Sequence, residues 1–139
     1  MNDSTKIPLS LYYSLLILQF ILPLIGAGID MFNSSPELRT LDQTLYIEPQ
    51  IWEIAVIGIA GLILLIILIG LFIRKEWARK AYLYTFILSF LVYFMPYMHW
   101  FYMSSIASLC NDLAFVCSGM LLMILISPQL YQPLFSSKN

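Results

Sequence analysis

The sequence predicts an all-α membrane protein in which four transmembrane helices form a small antiparallel bundle. Of the 139 residues, 60% are hydrophobic and only 11% are charged, whereas soluble domains are about half apolar and about a quarter charged. Four separate apolar stretches each reach about 20 residues, the length that crosses a bilayer as a helix. Helix is the expected form because lipid cannot satisfy the polar groups of an open backbone.

Each predicted span is an apolar run that ends close to charged or strongly polar residues. Pro8 suits the first turn of the first span, and Asp30 follows the last residue of that span. The second span has no charged residue between Ile54 and Ile73, and Arg74 ends it. The predicted spans within one domain, 1–139, are about 8–29, 52–73, 81–101 and 109–131.

The start of the fourth span has two alternatives. If the helix begins at Asn111, this residue caps it and Asp112 lies at the favourable end of the helix dipole. If it begins near Ser105, Asp112 lies two turns inside the span and needs a partner. We expect the cap; the candidate partners in the other case are His99, Tyr97 and Tyr102.

The loop between the second and third spans sets the orientation. Residues 74–80 hold four of the seven basic residues, and cytoplasmic loops retain Lys and Arg. Two spans on either side of this loop then place both termini in the cytoplasm. We expect the membrane to be the inner membrane of a bacterium. The outer loop, 30–51, holds four acidic residues against Arg39 alone, and we expect it to be irregular rather than an amphipathic helix over 41–47.

No catalytic residue is predicted. Signatures such as Walker A, His-Glu-x-x-His and Cys-x-x-Cys are absent, and no sequence pattern orients the one histidine, His99. Cys110 and Cys117 lie seven residues apart, about 10 Å along a helix, which is too far for a disulfide. We therefore expect a protein that is not an enzyme and has no cofactor.

No metal site is predicted either. The third span holds Met95, Met98 and His99, followed by Met103, and these side chains are ligands that Cu(I) accepts. No second histidine or Met-rich loop accompanies them. Methionines beside a proline are more simply expected to fill gaps in helix packing.

Charge limits the remaining functions. A net charge of −1 argues against a nucleic-acid partner, because binding phosphates requires a basic surface. No acidic residue lies in the middle of a span, which argues against a proton- or ion-coupled transporter. Gln19 is the one strongly polar side chain near the middle of the bilayer, and we expect it to form a hydrogen bond between helices.

Several polar and aromatic side chains gather at the outer ends of the predicted spans, either as an interaction site or as ordinary anchors at the interface. An aromatic stripe along the third span has the same two alternatives, helix packing or docking of a partner. The candidate residues of the outer face are Asp30, Glu53, His99, Trp100, Tyr102 and Asp112.

These features predict a small non-enzymatic integral membrane protein that acts by binding another membrane protein. In its four spans and short loops the chain resembles the small four-span immunity proteins that protect bacteria from pore-forming toxins, and it equally resembles other four-span bacterial proteins. The expected partners are the lipid bilayer and either a membrane protein, for an accessory or assembly subunit, or a membrane-inserting toxin. The alternative is a small transporter or channel subunit.

The topology is directly testable. In a chain without the two native cysteines, a Ser34→Cys probe is expected to react with an impermeant maleimide only from the outside. A reporter fused after Lys138 is expected to be active only in the cytoplasm. Labelling of position 34 from the cytoplasmic side would contradict the orientation.

Overall fold

A computed structural model describes residues 7–33, 35–46, 48–94 and 103–135. Within these ranges the chain is helical and has no strand. The helices are α1 (Leu9–Asn33), α2 (Pro36–Leu45), α3 (Ile51–Phe72), α4 (Glu76–Ser89), a 3₁₀ helix (Phe90–Phe94), α5 (Ser105–Ile126) and α6 (Pro128–Phe135).

Three of the described helices, α1, α3 and α5, are long and apolar enough to cross a membrane. The helices α3 and α5 have 22 residues each. Their length by helical rise is about 33 Å, which matches a hydrocarbon core of about 30 Å. The chain is therefore a helical, multi-pass integral membrane protein.

The prediction of an irregular outer loop is wrong, because most of this loop is helical. Helix α1 continues past Asp30 to Asn33, and α2 occupies 36–45. The Oγ atom of Ser35 accepts a hydrogen bond from the backbone N–H of Leu38 at 3.3 Å, and Pro36 follows at the first helical position. A serine at the N-cap followed by a proline favours the start of a helix. The helix therefore begins at Pro36, five residues before the helix over 41–47 that was the alternative in the sequence analysis.

The predicted third span is not one continuous α helix. Helix α4 begins at Glu76 and ends at Ser89, and the backbone then tightens into the 3₁₀ helix up to Phe94. The Oγ atom of Ser89 donates to the carbonyl of Phe86 at 2.7 Å, a local contact that competes with regular helix geometry. The remainder of that predicted span lies outside the described residues.

The helix predicted as the fourth span starts earlier than predicted, and Asn111 is not its cap. Ser104 is the N-cap of α5, and its Oγ atom accepts from the N–H of Ala107 at 3.4 Å. Asp112 consequently lies two turns inside the helix. The helix ends at Ile126 because Pro128, which begins α6, pushes the preceding residue out of the helical conformation.

The helices form two compact units. One unit contains α1, α2, α5 and the start of α6, and the other contains α3, α4, the 3₁₀ helix and the end of α6. In the first unit the main contact is between α1 and α5, and in the second it is between α3 and α4.

A tight turn joins α3 to α4. The N–H of Lys75 donates to the carbonyl of Gly70 at 2.8 Å, and the N–H of Arg74 donates to Leu71 at 3.0 Å. These two bonds form a Schellman motif, whose left-handed residue is Arg74 at φ 59°. A Cβ atom at Gly70 would lie 2.5 Å from the Cβ of Ala78, so the close approach of α3 and α4 requires glycine at this position.

We expect Gly70→Ala to lower the free energy of unfolding by about 1–3 kcal/mol, because the added methyl group overlaps Ala78. The matched control is Gly61→Ala in the same helix, where a Cβ atom meets nothing within 4 Å. Unfolding in mixed micelles with increasing denaturing detergent measures both variants. Equal stability of the two variants would contradict the assigned packing.

Candidate functional site

Three of the six outer-face candidates fall in the described part of the chain. Asp30 and Asp112 belong to the unit of α1 and α5, and Glu53 belongs to the unit of α3 and α4. The other three candidates, His99, Trp100 and Tyr102, lie outside the described residues.

Asp30 connects the end of α1 to the start of α5. Its Oδ1 atom accepts a hydrogen bond from the backbone N–H of Ser104 at 2.8 Å. Ser104 is the N-cap of α5, so the carboxylate also lies near the positive end of that helix dipole. Asp30 therefore fixes the position of the α5 N-terminus.

Further along the same pair, Gly26 allows the two backbones to approach closely. A Cβ atom at this position would lie 3.1 Å from the carbonyl oxygen of Ala107 and 3.2 Å from the Cβ of Cys110. Small residues permit such approaches between membrane helices. Two small residues, Gly26 on α1 and Cys110 on α5, thus meet each other.

Gln19 forms the polar contact near the middle of this pair. Its side chain is only 6% exposed, and its Oε1 atom accepts a hydrogen bond from the hydroxyl of Ser118 at 3.0 Å. Its Nε2 atom donates to the carbonyl of Leu16 at 3.4 Å. The geometry agrees with the expectation of an interhelical hydrogen bond, for which the sequence named no partner.

The three contacts run in opposite chain order along the two helices, so α1 and α5 are antiparallel. Their pairs are Asp30 with Ser104, Gly26 with Ala107, and Gln19 with Ser118. We call this contact the α1–α5 seam.

Glu53 stabilises the start of α3. It is the third residue of that helix, and its Oε2 atom accepts a hydrogen bond from the backbone N–H of Gln50 at 2.8 Å. The side chain is 1% exposed. A carboxylate at this position satisfies a backbone donor at the helix start, where a negative charge is also favourable. Glu53 is thus a capping residue within its own helix.

Asp112 is the exposed member of the three described candidates. It is the eighth residue of α5, about 10 Å along the axis from Ser105, and forms no hydrogen bond or ion pair with another described residue. On insertion scales a carboxylate costs about 2.5–3.5 kcal/mol in the centre of a spanning helix, and Asp112 lies nearer to the helix start than this. An ionisable residue inside a span is a candidate for a functional position, and a short Asp side chain does not reach the headgroups as Lys or Arg does.

An ion pair joins Arg79 and Glu76 at the start of α4. The Nε atom of Arg79 donates to both carboxylate oxygens of Glu76 at 3.0 Å, and Nη2 adds a bond of 2.5 Å to Oε1. The Arg79 hydrogen bonds, helped by the charges of Arg79 and Lys80, hold the pKa of Glu76 below its ordinary value of 4.5. This stabilisation is complete above pH 4.5 and is lost as the pH falls through the lowered pKa.

Among the described residues, no group of three or more His, Cys, Asp or Glu side chains is arranged to hold a metal ion. Cys110 and Cys117 are free thiols on α5. Met103 is exposed, while Met95, Met98 and His99 lie outside the described part of the chain.

No known protein family, characterised protein or solved structure matches this chain. The functional inference therefore depends on the contacts and exposure of the chain's own residues.

Sequence reasoning missed the roles of two serines. Ser104 directly precedes the apolar run of α5, and a serine in that position is a common helix cap. Ser118 lies four residues after Ala114 and eight after Cys110, a spacing of small residues that is typical of close helix contacts. Its hydroxyl donates to Gln19, 99 positions away in the sequence, and periodicity contains no signal for such a pairing.

A double-mutant cycle tests the contact between Gln19 and Ser118. Single Gln19→Leu and Ser118→Ala changes and their combination are expected to show a coupling energy of about 0.6 kcal/mol, with an upper range of about 1.7 kcal/mol. Ser108→Ala, at an exposed position of the same helix, is the control and should show no coupling with Gln19→Leu. Strict additivity of the first pair would contradict the hydrogen bond.

Proposed function

We propose that this chain is a small non-enzymatic integral membrane protein that acts by binding another membrane protein. It crosses the inner membrane of a bacterium four times, with both termini in the cytoplasm. Its role is that of an accessory or assembly subunit, or of an immunity protein against a membrane-inserting toxin.

The sides of the membrane on which the helices begin and end support a fourth crossing. The polar helix α2 keeps the chain between α1 and α3 on one side of the membrane, so α3 returns to the side where α1 began. The antiparallel contact of α1 and α5 requires α5 to begin on the opposite side. A further crossing between Phe72 and Ser105 agrees with both conditions and supports the proposed total of four spans.

The segment between these two helices has a suitable length for a crossing. Helix α4 has 14 residues and the 3₁₀ helix has five. At about 1.5 Å and about 2.0 Å per residue these elements extend over roughly 31 Å. The first five residues of α4, 76–80, are mostly charged and take up about 8 Å of this length, so the apolar part from Ala81 to Phe94 covers about 24 Å. Residues after Phe94 complete the predicted span.

The orientation rests on the basic loop. Arg74 and Lys75 lie between α3 and α4, and Arg79 and Lys80 lie in the first two turns of α4. Acidic residues contribute little to the positive-inside rule, so pairing with Glu76 does not weaken it. This loop is therefore assigned to the cytoplasm, and the candidate residues of the outer face to the opposite side.

The difference between Asp112 and the other polar side chains supports the proposed binding function. Gln19, Asp30 and Glu53 hold backbone and side-chain groups of the protein itself, as described above. Asp112 lies instead on an exposed face of a spanning helix. Lipid chains provide no polar or charged partner for a carboxylate at that depth, whereas a second membrane protein can provide one.

Affinity purification of the tagged chain from native membranes in mild detergent tests this proposal. We expect one membrane protein or one toxin to co-purify at a fixed ratio and to be missing from a purification with an unrelated four-span protein carrying the same tag. A chain that purifies alone, and that conducts ions or solutes after reconstitution into vesicles, would contradict the proposal and favour the transporter or channel alternative.

A further inference from the structure

Asp112 lies on the side of α5 that faces away from the α1–α5 seam. The buried side of α5 is marked by Ala107, Ala114 and Leu121, which are 2%, 5% and 0% exposed. Asp112 follows Ala107 by five residues, which at 3.6 residues per turn places it on nearly the opposite side. Exposure of Asp112 agrees with this position.

The surroundings of Asp112 on this outward face are mostly apolar. Leu109, Phe115 and Val116 are 58%, 60% and 58% exposed. One turn towards the N-terminus lies Ser108, and two turns towards the C-terminus lies Gly119, where a Cβ atom would meet nothing within 4 Å. This pattern differs from a water-facing helix surface, on which charges alternate with other polar groups.

The chain supplies no Lys or Arg at the depth of Asp112. Of its seven basic residues, Lys6 and Lys138 lie near the ends, and four lie in the loop assigned to the cytoplasm. The remaining one, Arg39, belongs to α2 outside the spans and donates to the carbonyl of Met31 at 3.2 Å. A second copy of the same chain has the same distribution, so it offers no complementary positive charge either.

We infer that the outward face of α5, centred on Asp112, is the docking surface for a transmembrane helix of a partner protein that carries a Lys or Arg level with Asp112. The inference deepens the proposed binding function and rests on it. Ionisable residues inside membranes pair with one another, and in a medium of low dielectric constant an opposite charge in contact is strongly attractive. The exposed apolar side chains around Asp112 provide the packing surface, and Gly119 lets a second backbone come close.

A synthetic transmembrane helix tests the pairing without knowledge of the natural partner. The probe is a Leu/Ala peptide of about 24 residues with uncharged ends and a single Lys about 10 Å below the bilayer surface. Energy transfer between this labelled peptide and the full chain is measured in phosphatidylcholine vesicles. The matched peptide carries Leu in place of Lys.

We expect the Lys peptide to associate about tenfold more strongly than the Leu peptide, and Asp112→Asn to abolish the difference. Asp112→Glu should retain it, and Ser108→Ala, one turn away, should leave it unchanged. Because position 112 is exposed, these variants remove no buried contact. Equal association of the two peptides, or a preference for Lys that survives Asp112→Asn, would overturn the inference. Loss of the preference after His99→Ala would also overturn it, since the histidine would then be the group involved.

Co-purification from native membranes separates this inference from the proposed function. If a partner is retained by both the unchanged chain and Asp112→Asn, the proposed function holds and the pairing is wrong. If the peptide preference is seen but no membrane protein co-purifies, the pairing holds and the proposed function is wrong. A partner lost on Asp112→Asn, with a Lys or Arg in one of its spans, supports both.

Discussion

The antiparallel contact between α1 and α5 is the constraint on which the rest of the structure depends. It joins residues that lie between 74 positions apart, for Asp30 and Ser104, and 99 positions apart, for Gln19 and Ser118. The seam uses three kinds of contact in order: a carboxylate on a helix N-terminus, a close backbone approach at Gly26, and a buried amide on a hydroxyl. Because these contacts have fixed positions along both helices, they determine register and direction, which apolar packing alone leaves open.

Local motifs at the helix ends explain where each helix begins and ends. Ser35, Ser104 and Glu53 satisfy backbone donors that would otherwise be unpaired at helix starts. In lipid such groups are more costly than in water, so strong caps matter at the ends of spanning segments. The turn at Arg74 shows the same requirement at a C-terminus, with a non-glycine residue held in the left-handed region by two backbone hydrogen bonds.

Asp112 differs from the polar side chains that satisfy backbone groups at the helix ends. Carboxylates that contribute to structure, such as Asp30 and Glu53, lie at helix ends and accept hydrogen bonds from the backbone. Asp112 lies two turns inside an apolar helix and on its exposed side, where it contributes nothing visible to the described fold. In the proposed binding function, this carboxylate would meet the positive charge of the partner helix.

The sequence by itself determined the helical, multi-pass membrane class, because apolar runs of spanning length have few other solutions. It also placed Glu53 near a helix start and identified Gln19 as an interhelical group. Three features needed the tertiary structure: the partner of Gln19, the start of α5 at Ser105, and the division of the third predicted span into α4 and a 3₁₀ helix. Because hydropathy is a property of single segments, it predicts neither helix caps nor contacts between residues that are distant in the sequence. Whether Asp112 lies in the first turn of a helix or two turns inside it depends on the helix start, which Ser104 and a distant carboxylate, Asp30, decide together.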